Sequence, residues 1–239
     1  MDTRFWGPSG WQLFHLIAFR SPREPATAVL RDMPGILPCK FCRASTTEFV
    51  ENDPPHGDLG KWLYTLHNRV NNKLRTQCAE DPAIIHPGPD PAFDEVKTRY
   101  LALKPKEVPG RDFLMSIAYN YPQAPEAHDK ETQRTFLAHL AEAYPFENLR
   151  DVVRSAPPPE LGSRRAYTKW MYALMKTLSD TVGAKIRSYR GYMSHLAFYK
   201  SGCARKTYRG KTCRRLPSGK VTKSRDPTVT RRVVGGSLL

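Results

Sequence analysis

Leu37-Pro38-Cys39-Lys40-Phe41-Cys42 places a single C-x-x-C where a proline hands over to a helical pattern, and how that pair is read decides the rest of the chain. Two thiols at this spacing can close a disulfide within one helical turn. The backbone N–H groups and dipole of a helix N-terminus stabilise a thiolate, so the pair suits redox exchange. Two other readings compete with a cycling dithiol. A structural zinc site needs four ligands, usually two such pairs, and the remaining cysteines, Cys78, Cys203 and Cys213, form no second C-x-x-C. A thioredoxin-type centre expects a βαβ setting, and no alternating or β-branched run precedes Cys39. The flanking segments have to decide.

Upstream, Trp6-Gly7-Pro8-Ser9-Gly10-Trp11 sets a proline at a helix start. Trp11, Phe14, His15, Ala18 and Phe19 recur at helical spacing, which predicts a helix from about Pro8 to Arg20. Ala26 to Met33 reads as a short helix ended by Pro34-Gly35. A third helix starts at the cysteines, carries Phe49 and Val50 inward and stops at Asp53-Pro54-Pro55. Downstream, Asp58 is a candidate N-cap for the best helix of the chain, Leu59 to Arg75. Leu59, Trp62, Leu63, Leu66, Val70 and Leu74 form its apolar face, while His67 and Asn71 sit four apart beside that face. They are placed either to hydrogen-bond a ligand lying along the helix or to be a solvated helix edge.

The chain of 239 residues is long enough for one or two cores. No window approaches the roughly 18 to 20 apolar residues of a membrane span, and Met1 to Trp6 has no signal-like apolar run. The odd count of five cysteines excludes a small disulfide-stapled scaffold and fits a reducing compartment with one oxidisable site. The net charge of +15 is uneven, because residues 201–239 hold eleven Lys or Arg against Asp226 alone. That tail is expected to be mobile and able to bind nucleic acid or another polyanion without sequence preference.

Trp11 with His15, then Pro38-Cys39-x-x-Cys42, then Trp62, His67-Asn68, Val70-Asn71 and Lys73-Leu74, in this order, resembles the Erv/ALR family of FAD-linked sulfhydryl oxidases. Phe93 to Tyr100 is similar to that family's fifth helix, so the resemblance covers roughly Arg4 to Leu103. It implies an all-α fold with a four-helix bundle and a short fifth helix holding FAD over residues 1–104. Cys42 would then be the flavin-proximal thiol and Cys39 the thiol that exchanges with protein dithiol substrates, with dioxygen as electron acceptor and hydrogen peroxide as product. The cofactor contacts implied are Gly7, Trp11, His15, His67, Asn68, Val70, Asn71, Lys73 and Tyr100, with Lys73 near the pyrophosphate. No metal is implied. A homodimer is the family's usual state, and the absent signal and membrane segments suggest a viral enzyme of the host cytoplasm or virion. The sequence departs from the family at Tyr64, where a structural cysteine is common, and Gln77 to Pro91 reads as a loop insertion that leaves Cys78 without an obvious mate.

The rest of the chain reads as a second copy. Ile17-Ala18-Phe19-Arg20-Ser21-Pro22 matches Ile117-Ala118-Tyr119-Asn120-Tyr121-Pro122, Leu37 to Cys42 lines up with Tyr144 to Leu149, and Trp62-Leu63-Tyr64-Thr65-Leu66 faces Trp170-Met171-Tyr172-Ala173-Leu174. In this degenerate bundle, over 105–200, Arg111 stands for Trp11, Met115 for His15, Phe146 and Leu149 for the cysteines, and Met175-Lys176 for His67-Asn68. A core is expected where flavin sits in the first copy, and the copy would serve as a built-in partner. In the tail, Cys203 and Cys213 are candidates for an electron shuttle to Cys39, for a local disulfide, or for two reduced thiols. The competing class is a helical scaffold whose basic tail binds nucleic acid.

Overall fold

A computed structural model describes residues 2–80 and 86–200, and no strand occurs among them. The tail 201–239, with Cys203, Cys213 and Tyr208, lies outside the described residues. The first five helices are α1 (Thr3–Arg20), α2 (Arg23–Ile36), α3 (Lys40–Asn52), α4 (Leu59–Glu80) and α5 (Phe93–Ala102). The next five are α6 (Arg111–Asn120), α7 (Ala127–Ala143), α8 (Glu147–Arg154), α9 (Arg164–Thr181) and α10 (Tyr189–Phe198).

Three helices outrun their sequence-based bounds. α1 begins at Thr3, ahead of the expected Pro8, because Asp2 caps it and its Oδ1 accepts the Arg4 N–H at 2.9 Å. The cap and the burial of Trp6 outweigh the hydrogen bond that Pro8 cannot donate. α2 runs past both expected ends, through Pro34 to Ile36, which is buried. α4 keeps the expected Asp58 contact, whose Oδ1 accepts the Lys61 N–H at 3.1 Å, and continues beyond Arg75 to Glu80. Gln77 to Glu80 is therefore helix and not inserted loop, held by the burial of Gln77.

Several local hydrogen bonds recur in the two sets of five helices. Arg43 Nη1 donates to Leu37 O at 2.6 Å, and Arg150 Nε donates to Tyr144 O at 2.8 Å, six residues back in each case. Trp62 Nε1 donates to Asp53 O and Trp170 Nε1 to Pro157 O, each in the loop before its own helix. Tyr64 Oη donates to Pro91 O and Tyr172 Oη to Arg187 O, both at 2.8 Å, so each tyrosine pins the loop leading into the fifth helix of its set. The backbone before α3 and α8 is extended alike, with φ −131° at Cys39 and −120° at Phe146.

The sets pack through matching helices, α1 on α6 and α2 on α7. One apolar core runs through both, from Trp6 and Phe14 to Leu174 and Leu196. Phe113 of α6 meets Phe14 edge-on at 5.2 Å and Trp6 at 5.8 Å. Gly110 before α6 has φ +77°, and a Cβ there would lie 2.5 Å from Leu13 Cδ2, so glycine meets both a conformational and a steric demand. Across α2 and α7, His139 Nδ1 lies 2.7 Å from Asp32 Oδ2, and the Ser21 hydroxyl bonds Ala143 O. No helix among the described residues is long and apolar enough to cross a membrane.

Candidate active site

Cys39 is the N-cap of α3 and Cys42 lies in its first turn, where no acidic residue offsets the positive end of the helix dipole. Both line a cleft of about 970 Å³, open mouth included, walled by α1, α3 and α4. Its surface is mainly aromatic and aliphatic, including Trp11, Phe14, Phe41 and Phe49. Polar groups come from Ser45, Thr46, Lys73 and Gln77, and Lys73 Nζ contacts Ser45 Oγ. Cys39 is 5% exposed and belongs to the core with Leu37, whereas Cys42 is half-buried.

Beside the cleft the rings form a second unit. Trp11 stacks on His67 with centroids 3.7 Å apart and planes 10° apart, and His15 stacks on Tyr100 at 4.9 Å and 17°. His15 Nε2 and His67 Nδ1 are 3.2 Å apart, so one of those two nitrogens carries the shared proton. Burial lowers the His15 pKa from 6.5 to about 3, which keeps that imidazole neutral. Burial pushes the Tyr100 hydroxyl up to about 12, against a smaller opposing effect of Arg99. Arg20 fastens α5 to α1 by donating from Nε to Tyr100 O at 3.1 Å and from Nη2 to Leu103 O at 3.2 Å.

The expected site residues thus fall into two neighbouring groups. Gly7, Trp11, Val70 and Lys73 line the cleft with the two cysteines. His15, His67 and Tyr100 form the ring stack, and Trp11 belongs to both. Asn71 is held outside the cleft, its Nδ2 donating to Asp90 Oδ1 at 2.7 Å. Asn68 is half-buried next to His67, with its Oδ1 shielded from solvent.

Several neighbours were not singled out from the sequence. Asp90 accepts from Asn71 and pairs with Arg75 at 2.8 Å, while Arg75 also donates to Gly88 O, so residues 88–90 are tied to α4. Ser45, Thr46 and Trp6 gave no sequence signal beyond helical spacing. Gln77 did: it sits four residues after Lys73 and seven after Val70, on one face of a helix that the sequence reading ended too early. Cys78, on the last turn of α4, forms no disulfide among the described residues, and at the place where the family commonly has a structural cysteine Tyr64 donates a hydrogen bond to Pro91 O.

In the second set, positions set against the site residues hold packed apolar side chains. Met115, Met175, Leu149 and Leu196 are fully buried. Phe146, in the place of Cys39, packs against Leu16, Val96 and Tyr100 of the first set, with the Arg20 guanidinium 4.9 Å above its ring. Among the described residues no cluster of three or more His, Cys, Asp or Glu could hold a metal ion.

Around the cleft, three buried polar atoms, Thr3 Oγ1, Trp6 Nε1 and Gln77 Oε1, have no hydrogen-bond partner among the described residues. Such atoms suit a polar, aromatic ligand better than a packed core does.

Comparison with known proteins adds a family. No solved structure gives a significant match. The chain is 29% identical over 85 residues to the mitochondrial FAD-linked sulfhydryl oxidase ERV1 of Saccharomyces cerevisiae, a match covering 31% of this chain and 45% of that protein. It is 29% identical over 80 residues to the FAD-linked sulfhydryl oxidase of African swine fever virus, covering 29% of this chain and 67% of that protein. The Erv1 / Alr family pattern matches residues 8–85, the stretch that contains both cysteines, most of the cleft and two of the stacked rings' helices. Residues 8–85 of this chain thus match the Erv1 / Alr family, within a longer helical protein.

Proposed function

We propose that this chain is an FAD-dependent sulfhydryl oxidase that forms disulfides in protein substrates. The observation that carries the reading is the Cys39/Cys42 pair at a helix N-terminus, facing an aromatic cleft that also presents Lys73. A substrate thiolate attacks Cys39 Sγ of the Cys39–Cys42 disulfide, forming a mixed disulfide while Cys42 leaves as a thiolate. The second substrate thiol then attacks the substrate sulfur of that mixed disulfide. The substrate disulfide forms, Cys39 departs reduced, and two protons are released or shared among the new thiols. FAD, when bound, would supply the two-electron acceptor for the reduced pair, with dioxygen as the final acceptor and hydrogen peroxide as product.

The remaining residues hold and shape. Gly7, Trp11 and Val70 face the cleft, and Lys73 offers an ammonium for a pyrophosphate. His15, His67, Asn68, Asn71 and Tyr100 would hold the other end of the cofactor, with neutral His15 contributing no charge repulsion near a basic helix.

The packing of α1 on α6 and α2 on α7 supports reading residues 105–200 as a degenerate copy of residues 1–104 that serves as an internal partner. On that reading it covers the surface a homodimer of the first set would use. For the tail 201–239, composition alone supports non-specific contact with nucleic acid, and the spacing of Cys203 and Cys213 supports a shuttle to Cys39. A place of action in the host cytoplasm or virion is supported by the viral relative.

The test is a visible spectrum of the purified chain followed by oxygen consumption with dithiothreitol, for wild type and Cys42→Ser. The expected outcome is a bound yellow flavin in both and turnover only in wild type. A colourless protein that FAD cannot reconstitute would leave a helical scaffold with a basic tail as the better account.

A further inference from the structure

Two of the orphaned polar atoms define what the cleft reads. α1 and α4 run antiparallel, since Phe19 near the end of α1 touches Gly60 at the start of α4, and His15 meets His67 halfway along. Trp6 lies nine residues before His15 and Gln77 ten residues after His67. At a rise of about 1.5 Å per residue, both stand roughly 14 Å from the histidine pair, at the same end, on the cleft that holds Cys42. Trp6 is 6% exposed and Gln77 is 7% exposed. Trp6 Nε1 can only donate and Gln77 Oε1 can only accept, and neither has a partner among the described residues. Buried groups of this kind are costly unless a ligand completes them.

We propose that Gln77 and Trp6 are binding residues that seat the redox-active ring of FAD by its pyrimidine edge, Gln77 Oε1 accepting the ring N3–H and Trp6 Nε1–H donating to a flanking ring carbonyl. The inference rests on the FAD-dependent reading above and deepens it. The pyrimidine edge of an oxidised flavin presents a carbonyl, an N–H and a second carbonyl, which calls for a protein acceptor beside a protein donor. A phosphate presents only acceptors and would leave Gln77 Oε1 unsatisfied. The ring that takes electrons from Cys42 has to lie in the cleft that Cys42, Trp6 and Gln77 line together, and Gln77 reaches it only because α4 continues past Arg75.

The full-length chain, stripped of flavin, is titrated with FAD and with FAD methylated at N3, following flavin fluorescence. Wild type should bind the methylated flavin about ten-fold more weakly than FAD. Gln77→Leu should bind FAD about ten-fold more weakly than wild type does and should treat the two flavins alike within about two-fold. Trp6→Phe, which keeps the ring and removes the N–H, should weaken FAD about five-fold and shift the visible band of the bound flavin. Equal binding of both flavins by wild type overturns the assignment while leaving the oxidase reading intact, as does undiminished discrimination in Gln77→Leu. Wild type that binds neither flavin overturns the oxidase reading and this inference with it. Should Gln77→Leu fail to fold, the two flavins on wild type decide alone.

Discussion

His15 is the residue whose surroundings carry the clearest consequence for stability. Its pKa is about 3 in the folded chain and 6.5 by ordinary value, because burial disfavours the imidazolium. Between those values the unfolded chain binds the extra proton, so stability is complete above about pH 6.5 and falls as pH drops toward 3. The slope for this one group approaches ~1.4 kcal/mol per pH unit. Urea unfolding at pH 7 and pH 5 should show this loss in wild type and lack it in His15→Phe; equal slopes would mean that other groups set the acid limit. The cysteines give a second residue-level expectation. Cys39 is 5% exposed and Cys42 half-buried, so iodoacetamide should modify Cys42 first in the reduced, flavin-free chain, and substrate exchange at Cys39 needs the segment around Leu37 to open. Arg43 holds the Leu37 carbonyl just ahead of Cys39. Arg43→Ala should speed Cys39 alkylation about five-fold, the size of one lost hydrogen bond. Mass spectrometry of a labelling time course reads both, and an unchanged Cys39 rate in the variant would remove Arg43 from control of access.

At the scale of elements, the site depends on how tightly α1 and α4 approach. A Cβ on Gly60 would sit 2.2 Å from Phe19 Cε1, so the Phe19 ring must shift or the helices must part to admit it. Gly60→Ala should therefore destabilise the chain by about 1–3 kcal/mol from overpacking, despite alanine's better helix propensity. A thermal melt unchanged or raised in Gly60→Ala would show that Phe19 can turn away at no cost. The repeat makes a paired prediction. Tyr64 and Tyr172 each donate to the carbonyl of the loop before the fifth helix of their set. Tyr64→Phe and Tyr172→Phe should each cost about 1 kcal/mol in chemical unfolding, and only Tyr64→Phe should disturb the ring stack, which contains Tyr100 of α5. Near-ultraviolet circular dichroism separates the two variants, and identical spectra would count against that difference.

For the whole molecule, the continuous core means that neither set of helices is closed alone. α2 buries Val29, Leu30 and Met33 and packs most extensively on α7. Uncovering side chains of this kind costs about 1.5–3 kcal/mol each. A chain ending at residue 104 should therefore self-associate or fail to unfold cooperatively, as sedimentation and a thermal melt would read. A monomeric fragment with a sharp transition would mean that the second set is dispensable for the fold.

The family resemblance grouped Trp11, His15 and His67 with the C-x-x-C, while local chemistry in the sequence was enough for the helices of the first set, the start of α3 at the cysteines and the Asp58 contact. These depend on nearest-neighbour periodicity and capping, which act over a few residues and are written in order along the chain. Where helices end was less legible. Pro8, Pro34 and the polar run after Arg75 all read as boundaries, yet Asp2 capping and the burial of Ile36 and Gln77 carry the helices past them. Only the tertiary structure divided the expected contacts between a cleft and a ring stack, brought Asp90 to Asn71, and put Trp6 and Gln77 on the cleft that Cys42 lines. Those outcomes depend on which faces of antiparallel helices meet, and a periodic pattern leaves that choice open until the helices pack.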